Sequence, residues 1–395
     1  MRDEMKKVPR LRFRGFSEEW EQRKLDDVSE KVTEKNKNRK VTETLTNSAE
    51  YGIISQSDFF DKDISNINNI DGYYVVRPDD FVYNPRISNY APVGPIKRNN
   101  LNKIGVMSPL YYVFRIKDID PSFLEKYFDT AYWHMFMKLN GDSGARADRF
   151  AIKDSVFKQM PIPYPSIEEQ VKLGNFFKQL DDTIALHQRK LEQLKELKKA
   201  YLQLMFPTKE ERVPKLRFAD FEGEWELCKL IGILDIIKGT QKSKSELSTN
   251  QNNCTPYPVY NGGINPSGYT NIYNRENAIT ISEGGNSAGF VNFVQEKFFS
   301  GGHNYTIVNN VTDTLFLFFY LCSIQEEIMR LRVGTGLPNI QKPTLMNLEI
   351  QKTTDNEQKF IGLFLKNIDI LITLTQNKLN QLKSLKKSYL QNMFI

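Results

Sequence analysis

The sequence predicts an α+β protein in which two globular domains are separated by two long antiparallel coiled-coil helices and related by an internal pseudo-twofold repeat. Three observations carry this expectation. A short entry segment occurs twice, as Val8-Pro9-Arg10-Leu11-Arg12-Phe13 closing on Trp20-Glu21, and as Val213-Pro214-Lys215-Leu216-Arg217-Phe218 closing on Trp225-Glu226. A long amphipathic segment also occurs twice, from Glu169-Gln170 to Phe206 and from Glu357-Gln358 to Phe394. Between these matching frames, over residues 26–160 and 231–348, the two halves share no recognisable pattern. One scaffold therefore presents two unlike inserts. The expected divisions are 1–163 for the first globular domain, 164–207 for a central helix, 208–351 for the second domain and 352–395 for a second helix.

In the first insert, Gly72–Val76, Phe81–Tyr83 and Leu110–Phe114 have strand composition, bounded by turn residues at Pro78-Asp79-Asp80, Asn84-Pro85 and Ser108-Pro109. A helix is expected over Ser122–Leu139. Two loops concentrate polar groups: Asn84-Pro85-Arg86-Ile87-Ser88-Asn89, and Gly141-Asp142-Ser143-Gly144-Ala145-Arg146 followed by Asp148-Arg149. Arginine grips guanine N7 and O6 bidentately and asparagine pairs with adenine in the same way, so both loops are candidate reading heads.

The first long helix starts at a capping-box pattern, Ser166 with Glu169. Leu173, Phe177, Leu180, Ile184, His187, Leu191, Leu194, Lys198, Tyr201 and Met205 then alternate steps of four and three, which is a heptad seam. From the cap to Phe206 the helix runs roughly 60 Å at the α-helical rise. The polar seam residues His187 and Lys198 fix register at some cost in stability, and Leu197 widens the apolar stripe. His187 is read as a seam residue rather than a ligand or a catalytic base. Gly174 weakens the helix and is expected where another backbone comes close.

The second insert is rich in glycine and asparagine. Four loop signals, Tyr257–Gly263, Ser282–Asn286, Gly301–Asn304 and Gly334–Asn339, are separated by apolar runs. They read equally well as ordinary turns and as places where backbone and amide groups meet a ligand. In the second long helix Thr354 and Glu357 repeat the cap. Ile361, Leu365, Ile368, Ile372, Thr375, Leu379, Leu382, Lys386, Tyr389 and Met393 repeat the seam, with Gly362 and Leu385 at the places of Gly174 and Leu197. A pseudo-twofold relation makes the helices antiparallel. It brings Met393-Phe394 beside the first entry segment, as Met205-Phe206 lie beside the second.

With 395 residues, 40% of them hydrophobic and 12% aromatic, the chain can bury more than one core. A net charge of +6 fits a polyanionic partner without requiring one. Three cysteines and three histidines lack the close spacing of zinc ligands, so no metal is expected and the thiols suit a reducing compartment. No signal-like or membrane-spanning apolar run is present, which points to the cytoplasm and away from membranes. Phosphate-loop and dinucleotide fingerprints are missing. Tyr83-Asn84-Pro85-Arg86 departs from the Asn/Asp-Pro-Pro-aromatic pocket of amino-methylating enzymes at the second proline and the aromatic, so a stand-alone adenine methyltransferase is not supported. No cofactor is expected.

The repeated entry segments, the Pro161-Ile162-Pro163 lead into Glu168-Glu169-Gln170, and the repeated Lys-Leu-x-Gln-Leu-Lys-x-Leu-Lys-Lys helix ends resemble the specificity subunit of type I restriction-modification enzymes. Ser143-Gly144-Ala145-Arg146 and Tyr257–Gly263 resemble loops of that family's target recognition domains, whereas Thr335-Gly336-Leu337-Pro338 and the Ile350-Gln351-Lys352 lead depart from its pattern. The resemblance implies a non-catalytic subunit that binds double-stranded DNA, docks two methyltransferase subunits on its helices and lets motor-nuclease subunits join. Each recognition domain would read one half of a split, asymmetric sequence.

On this reading, base contacts are expected from Asn84, Arg86, Ser143 and Arg146 in the first domain and from Tyr260, Asn261, Ser282, Asn286, His303 and Asn304 in the second. Lys97, Arg98, Lys103, Lys153 and Lys342 are expected on phosphates, where they add affinity and salt dependence. The rival reading is a scaffold with two ligand-binding domains on a coiled-coil spacer and no DNA.

Overall fold

In the computed structural model, which describes residues 8–59, 70–142, 148–334 and 336–395, the chain forms two compact units. One runs from the entry segment to His187 and includes Lys378–Ile395; the other is Gln188–Asn377. Each unit therefore contains half of each long helix.

The helices are Ile167–Leu204 and Asp355–Asn392, 38 residues each. In the first unit the start of one helix lies against the end of the other: Phe176 meets Tyr389 with ring centroids 5.2 Å apart, and Lys386 pairs with Asp181 at 2.5 Å. The second unit repeats this arrangement in reverse, with Tyr201 on Phe364 at 4.9 Å and Lys198 on Asp369 at 2.6 Å. The helices are antiparallel, and every expected seam residue is buried or half-buried. Leu197 and Leu385 do not widen the stripe; both are exposed. The lysines in the seam are satisfied by the aspartates of the facing helix.

Each helix start is held by the entry segment. Ser166 Oγ accepts from Glu169 N at 3.3 Å, as a cap should. The other half of the box is absent, because Glu169 is engaged instead by Arg12 and by Trp20 Nε1. Glu357 is engaged likewise by Arg217 and by the Thr353 hydroxyl. The following glutamines tie each insert to its helix: Gln170 Oε1 accepts from Asp120 N at 2.9 Å, and Gln358 Oε1 from Asp313 N at 2.9 Å. Asp120 and Asp313 in turn cap insert helices by accepting from Phe123 N and Phe316 N. Those helix starts press on the two glycines. A Cβ on Gly174 would lie 2.8 Å from Ser122 Cβ, and one on Gly362 would lie 2.9 Å from Leu315 Cβ.

The entry strand Glu21–Lys24 pairs antiparallel with Pro161–Tyr164, and Glu226–Lys229 pairs in the same way with Glu349–Lys352. The ends of the long helices finish beside these segments. Phe394 lies 6.4 Å from Trp20 and Leu11 N donates to Asn392 O, while Phe206 lies 6.2 Å from Trp225 and Leu216 N donates to Leu204 O.

Beyond this frame the units diverge. The first carries a four-stranded antiparallel sheet in the order Ser29–Lys31, Tyr112–Ile116, Phe81–Tyr83, Ile96–Arg98. Alternation gives it two buried faces. Phe81, Tyr83 and Phe114 join an aromatic core with Phe123 and Phe177, and Val82 and Val113 join a smaller aliphatic core with Leu45, Ile53 and Met107. The helix expected over 122–139 is two helices, Pro121–Phe128 and His134–Asn140. Between them the Thr130 hydroxyl donates to Tyr127 O at 2.6 Å and buried Trp133 donates from Nε1 to Phe128 O at 3.2 Å, so the last carbonyls of the first helix are taken by side chains.

The second unit carries a six-stranded mixed sheet: Asp235–Lys238, Asn304–Val308, Arg275–Ser282, Val291–Ser300, Tyr257–Tyr260 and Gly268–Thr270. Only the pairing of Tyr257–Tyr260 with Val291–Ser300 is parallel. The nearly all-apolar helix Thr314–Ser323 is buried against this sheet through Phe316, Leu317 and Phe319. Among the described residues no helix is long and apolar enough to cross a membrane.

Candidate nucleic-acid interface

In the first unit the two polar loops are laced together. Ile87 N donates to Asp148 O at 2.9 Å and Phe150 N to Pro85 O at 2.8 Å, which sets Arg86 opposite Arg149; further along, Asp142 is opposite Ala151. Asn84 is an anchor of this assembly. Its amide donates to Asn47 O at 2.9 Å and its Oδ1 accepts from Arg86 N at 3.0 Å, so both ends of the side chain are already engaged in holding the loop. Arg86 is exposed. Ser143 and Arg146 lie outside the described residues. Beside the loops is an open cleft of about 800 Å³, lined by Tyr112, Asn140, Asp142, Lys153 and the Lys31–Asp154 ion pair.

The four loop signals of the second insert come together. Gly301 N donates to Tyr260 O, Asn261 Oδ1 accepts from His303 N at 3.2 Å, Glu283 N donates to His303 O, and Gly284 is bridged to Asn339. Gly262, at φ 82°, packs so closely that a Cβ would lie 2.7 Å from His303 O, which only glycine permits. The result is a continuous strip of loop backbone at the ends of the sheet strands. At its centre the half-buried Glu283 accepts at Oε1 from Lys238 Nζ (2.6 Å) and Tyr305 OH (3.1 Å), and its Oε2 lies 3.8 Å from His303 Nδ1. Burial, with Glu283 beside it, pushes the Tyr305 hydroxyl up to about 12.

Not all of the expected base-reading residues face outward on this strip. Ser282 and Asn304 are buried: the Ser282 hydroxyl donates to Gly262 O at 2.6 Å and the Asn304 amide reaches Ser300 Oγ at 3.3 Å. Both hold the loops and present nothing to a ligand. Tyr260 points away from the strip into a cleft of about 370 Å³ lined by Phe293, Phe318 and Lys366, where burial raises its hydroxyl pKa. Asn286 and His303 are exposed, and Asn261 is half-buried with its oxygen in use.

The expected phosphate contacts divide in the same way. Lys97 pairs with Asp129 at 2.9 Å, Arg98 with Asp79 at 2.6 Å, Lys103 with Glu43 at 2.8 Å and Lys342 with Asp235 at 3.0 Å. These four cations are neutralised within the fold. Lys153 is exposed and has no carboxylate partner among the described residues. Sequence reasoning passed over Lys242 and Lys244, which follow a loop bridged to Gly301 at one end of the strip, and Arg332 at the other. Two backbone carbonyls fix Arg332: Met329 O accepts from Nε at 2.6 Å and Asn286 O from Nη1 at 3.5 Å. Its place directly before Val333-Gly334 was the available signal.

The chain is 24% identical over 263 residues to the specificity subunit of a type I restriction enzyme from Methanocaldococcus jannaschii, covering 60% of this chain and 61% of that one. A type I specificity subunit of Mycoplasma genitalium is 31% identical over 188 residues, covering 46% of this chain and 47% of that one. The chain thus spans about three fifths and about half of the lengths of these curated relatives. Among solved structures, the S subunit of a type I restriction-modification system from M. genitalium superposes with a TM-score of 0.64 over 98% of this chain and 99% of that one, at 15% identity, which is a likeness of fold. The sequence pattern of the type I restriction modification DNA specificity domain matches residues 17–196 and again 222–384, once on each copy of the frame. With most of its length so matched, the chain belongs to the family of type I restriction-modification DNA specificity subunits.

Proposed function

We propose that this chain gives a type I restriction-modification enzyme its DNA specificity by reading a bipartite, asymmetric double-stranded sequence, one half per globular domain. The observation that carries this reading is a single Arg–Glu–Gln frame, built twice to equivalent distances, around two loop sets that share no residue pattern. Unlike loops on like frames are what two different half-sites require. Base contacts are assigned to the exposed Asn286 and His303 and the half-buried amide of Asn261 in the second domain, and to Ser143 and Arg146, which lie outside the described residues, in the first. Lys153, Lys242 and Lys244 carry charge suited to phosphates.

The chain itself contributes recognition and no chemistry. Two methyltransferase subunits dock on the long helices, and motor-nuclease subunits complete the assembly. Docking is supported by Phe360, Leu363, Leu371 and Leu374, large apolar side chains left exposed on the second helix. A DNA-bound role also places the protein in the cytoplasm.

Sequencing methylated adenines in cells that carry the chain with its methyltransferase tests the reading. A split sequence with two different halves, lost when the chain is deleted, is expected. Methylation that is unchanged by the deletion overturns it, and a gel-shift titration with neither sequence preference nor steep salt dependence favours the DNA-free scaffold.

A further inference from the structure

We infer that Arg86 and Arg149 together hold one phosphate of the DNA backbone, two guanidinium groups on a single phosphodiester. The inference rests on the DNA-reading function proposed above. The two arginines stand directly opposite one another where the polar loops of the first unit are joined. The hydrogen bonds of that junction run between Ile87 and Asp148 and between Phe150 and Pro85, so the arginines exchange none themselves. This is the non-hydrogen-bonded position of an antiparallel pair, where opposed Cα atoms approach to about 4.5 Å and side chains lie closest. Ile87 and Phe150, the next residues along, turn into the aromatic core. Alternation therefore sends Arg86 and Arg149 together to the other face.

Like charges directly opposed across a strand pair destabilise it. No relief is found among the described residues: neither guanidinium has a hydrogen bond or an ion pair with any of them. By contrast Arg98 and Arg115 of the four-stranded sheet each grip an aspartate. An anion between Arg86 and Arg149 converts the repulsion into attraction, and a planar fork matches phosphate oxygens well. A guanine edge offers N7 and O6 to one fork only, so the pairing favours the backbone over a base. Arg86 accordingly moves from the base-reading group to the groups that position the DNA.

The test uses the full chain assembled with its methyltransferase partner and a duplex containing its methylated sequence, titrated at several salt concentrations. Wild type is compared with Arg86→Ala, Arg149→Ala and the double variant. The double variant is expected to reduce the slope of log affinity against log salt by about one, the value for one lost phosphate. It should leave the methylated sequence unchanged and raise the thermal midpoint of the chain without DNA, because the repulsion is gone. A slope reduced by about two, which means two separate phosphates, overturns the shared site, as does an unchanged slope. A relaxed methylation sequence overturns it in favour of base reading, and a lowered midpoint in the free variant overturns it in favour of a structural role. Should the wild-type assembly itself show neither sequence preference nor salt dependence, the DNA-reading function falls and the clamp with it.

Discussion

Arg12 holds Glu169 with both prongs of its guanidinium, Nε to Oε1 and Nη2 to Oε2, each at 2.7 Å. Arg217 does the same to Glu357 at 2.7 and 2.8 Å. The glutamates are 1% and 0% exposed, so each carboxylate depends on its arginine. Breaking a buried pair by removing one partner costs about 3–5 kcal/mol because the other charge is left uncompensated. Arg217→Ala is therefore expected to destabilise the second unit by about that amount in urea unfolding, and adding Glu357→Gln should recover part of the loss. A single variant as stable as wild type would remove the pair from the frame.

The two helix glycines are a second point of contact. Alanine normally adds about 1 kcal/mol to a helix over glycine. At Gly174 a Cβ would lie 2.9 Å from Asp120 Oδ1, and at Gly362 2.9 Å from Asp313 Oδ1, the carboxylates that cap the insert helices. Overpacking of this kind costs about 1–3 kcal/mol. Gly174→Ala and Gly362→Ala should therefore lower the thermal midpoint, whereas a rise would mean that the insert helices yield without strain.

Asp129 makes the first unit sensitive to acid. Burial pushes its carboxyl up, but Lys97, Lys126 and Lys386 outweigh that and hold it below its ordinary value. With a folded pKa below the unfolded one, the contribution to stability is complete above about pH 4 and is lost as the pH falls through the folded value. Unfolding free energy measured from pH 6 downward should decline less steeply in Asp129→Asn than in wild type.

Salt dependence distinguishes cations already paired from those that are not. Lys97, Arg98, Lys103 and Lys342 each have a carboxylate within the fold. Their alanine variants should leave the salt slope of DNA binding unchanged, while Lys153→Ala lowers it by about one. A slope lowered by Lys97→Ala or Lys342→Ala would show that the ion pair opens to meet DNA.

The parts of this molecule that were legible in sequence are those set by short-range periodicity. The seam from Leu173 to Met205 and its copy were readable because every member is fixed by steps of three and four along one helix. The same reasoning gave the Ser166 cap but misassigned Glu169, whose partner Arg12 lies 157 residues away. The break between Phe128 and His134 was hidden for a related reason, since it is made by Thr130 and Trp133 turning back on the preceding carbonyls. In the candidate interface the four loops were recognisable by their glycines. Which side chains face outward was not, because Ser282 and Asn304 look as available in sequence as Asn286, and only the strand pairing buries them.

The aromatic core of the first unit includes Met393 and Phe394, which pack on Trp20, Phe123 and Phe177. These residues leave the ribosome after the whole of the second unit. The half that is translated first is therefore the half that finishes folding last. It waits with an unfilled hole in its interior for roughly 10–40 s at ordinary elongation rates.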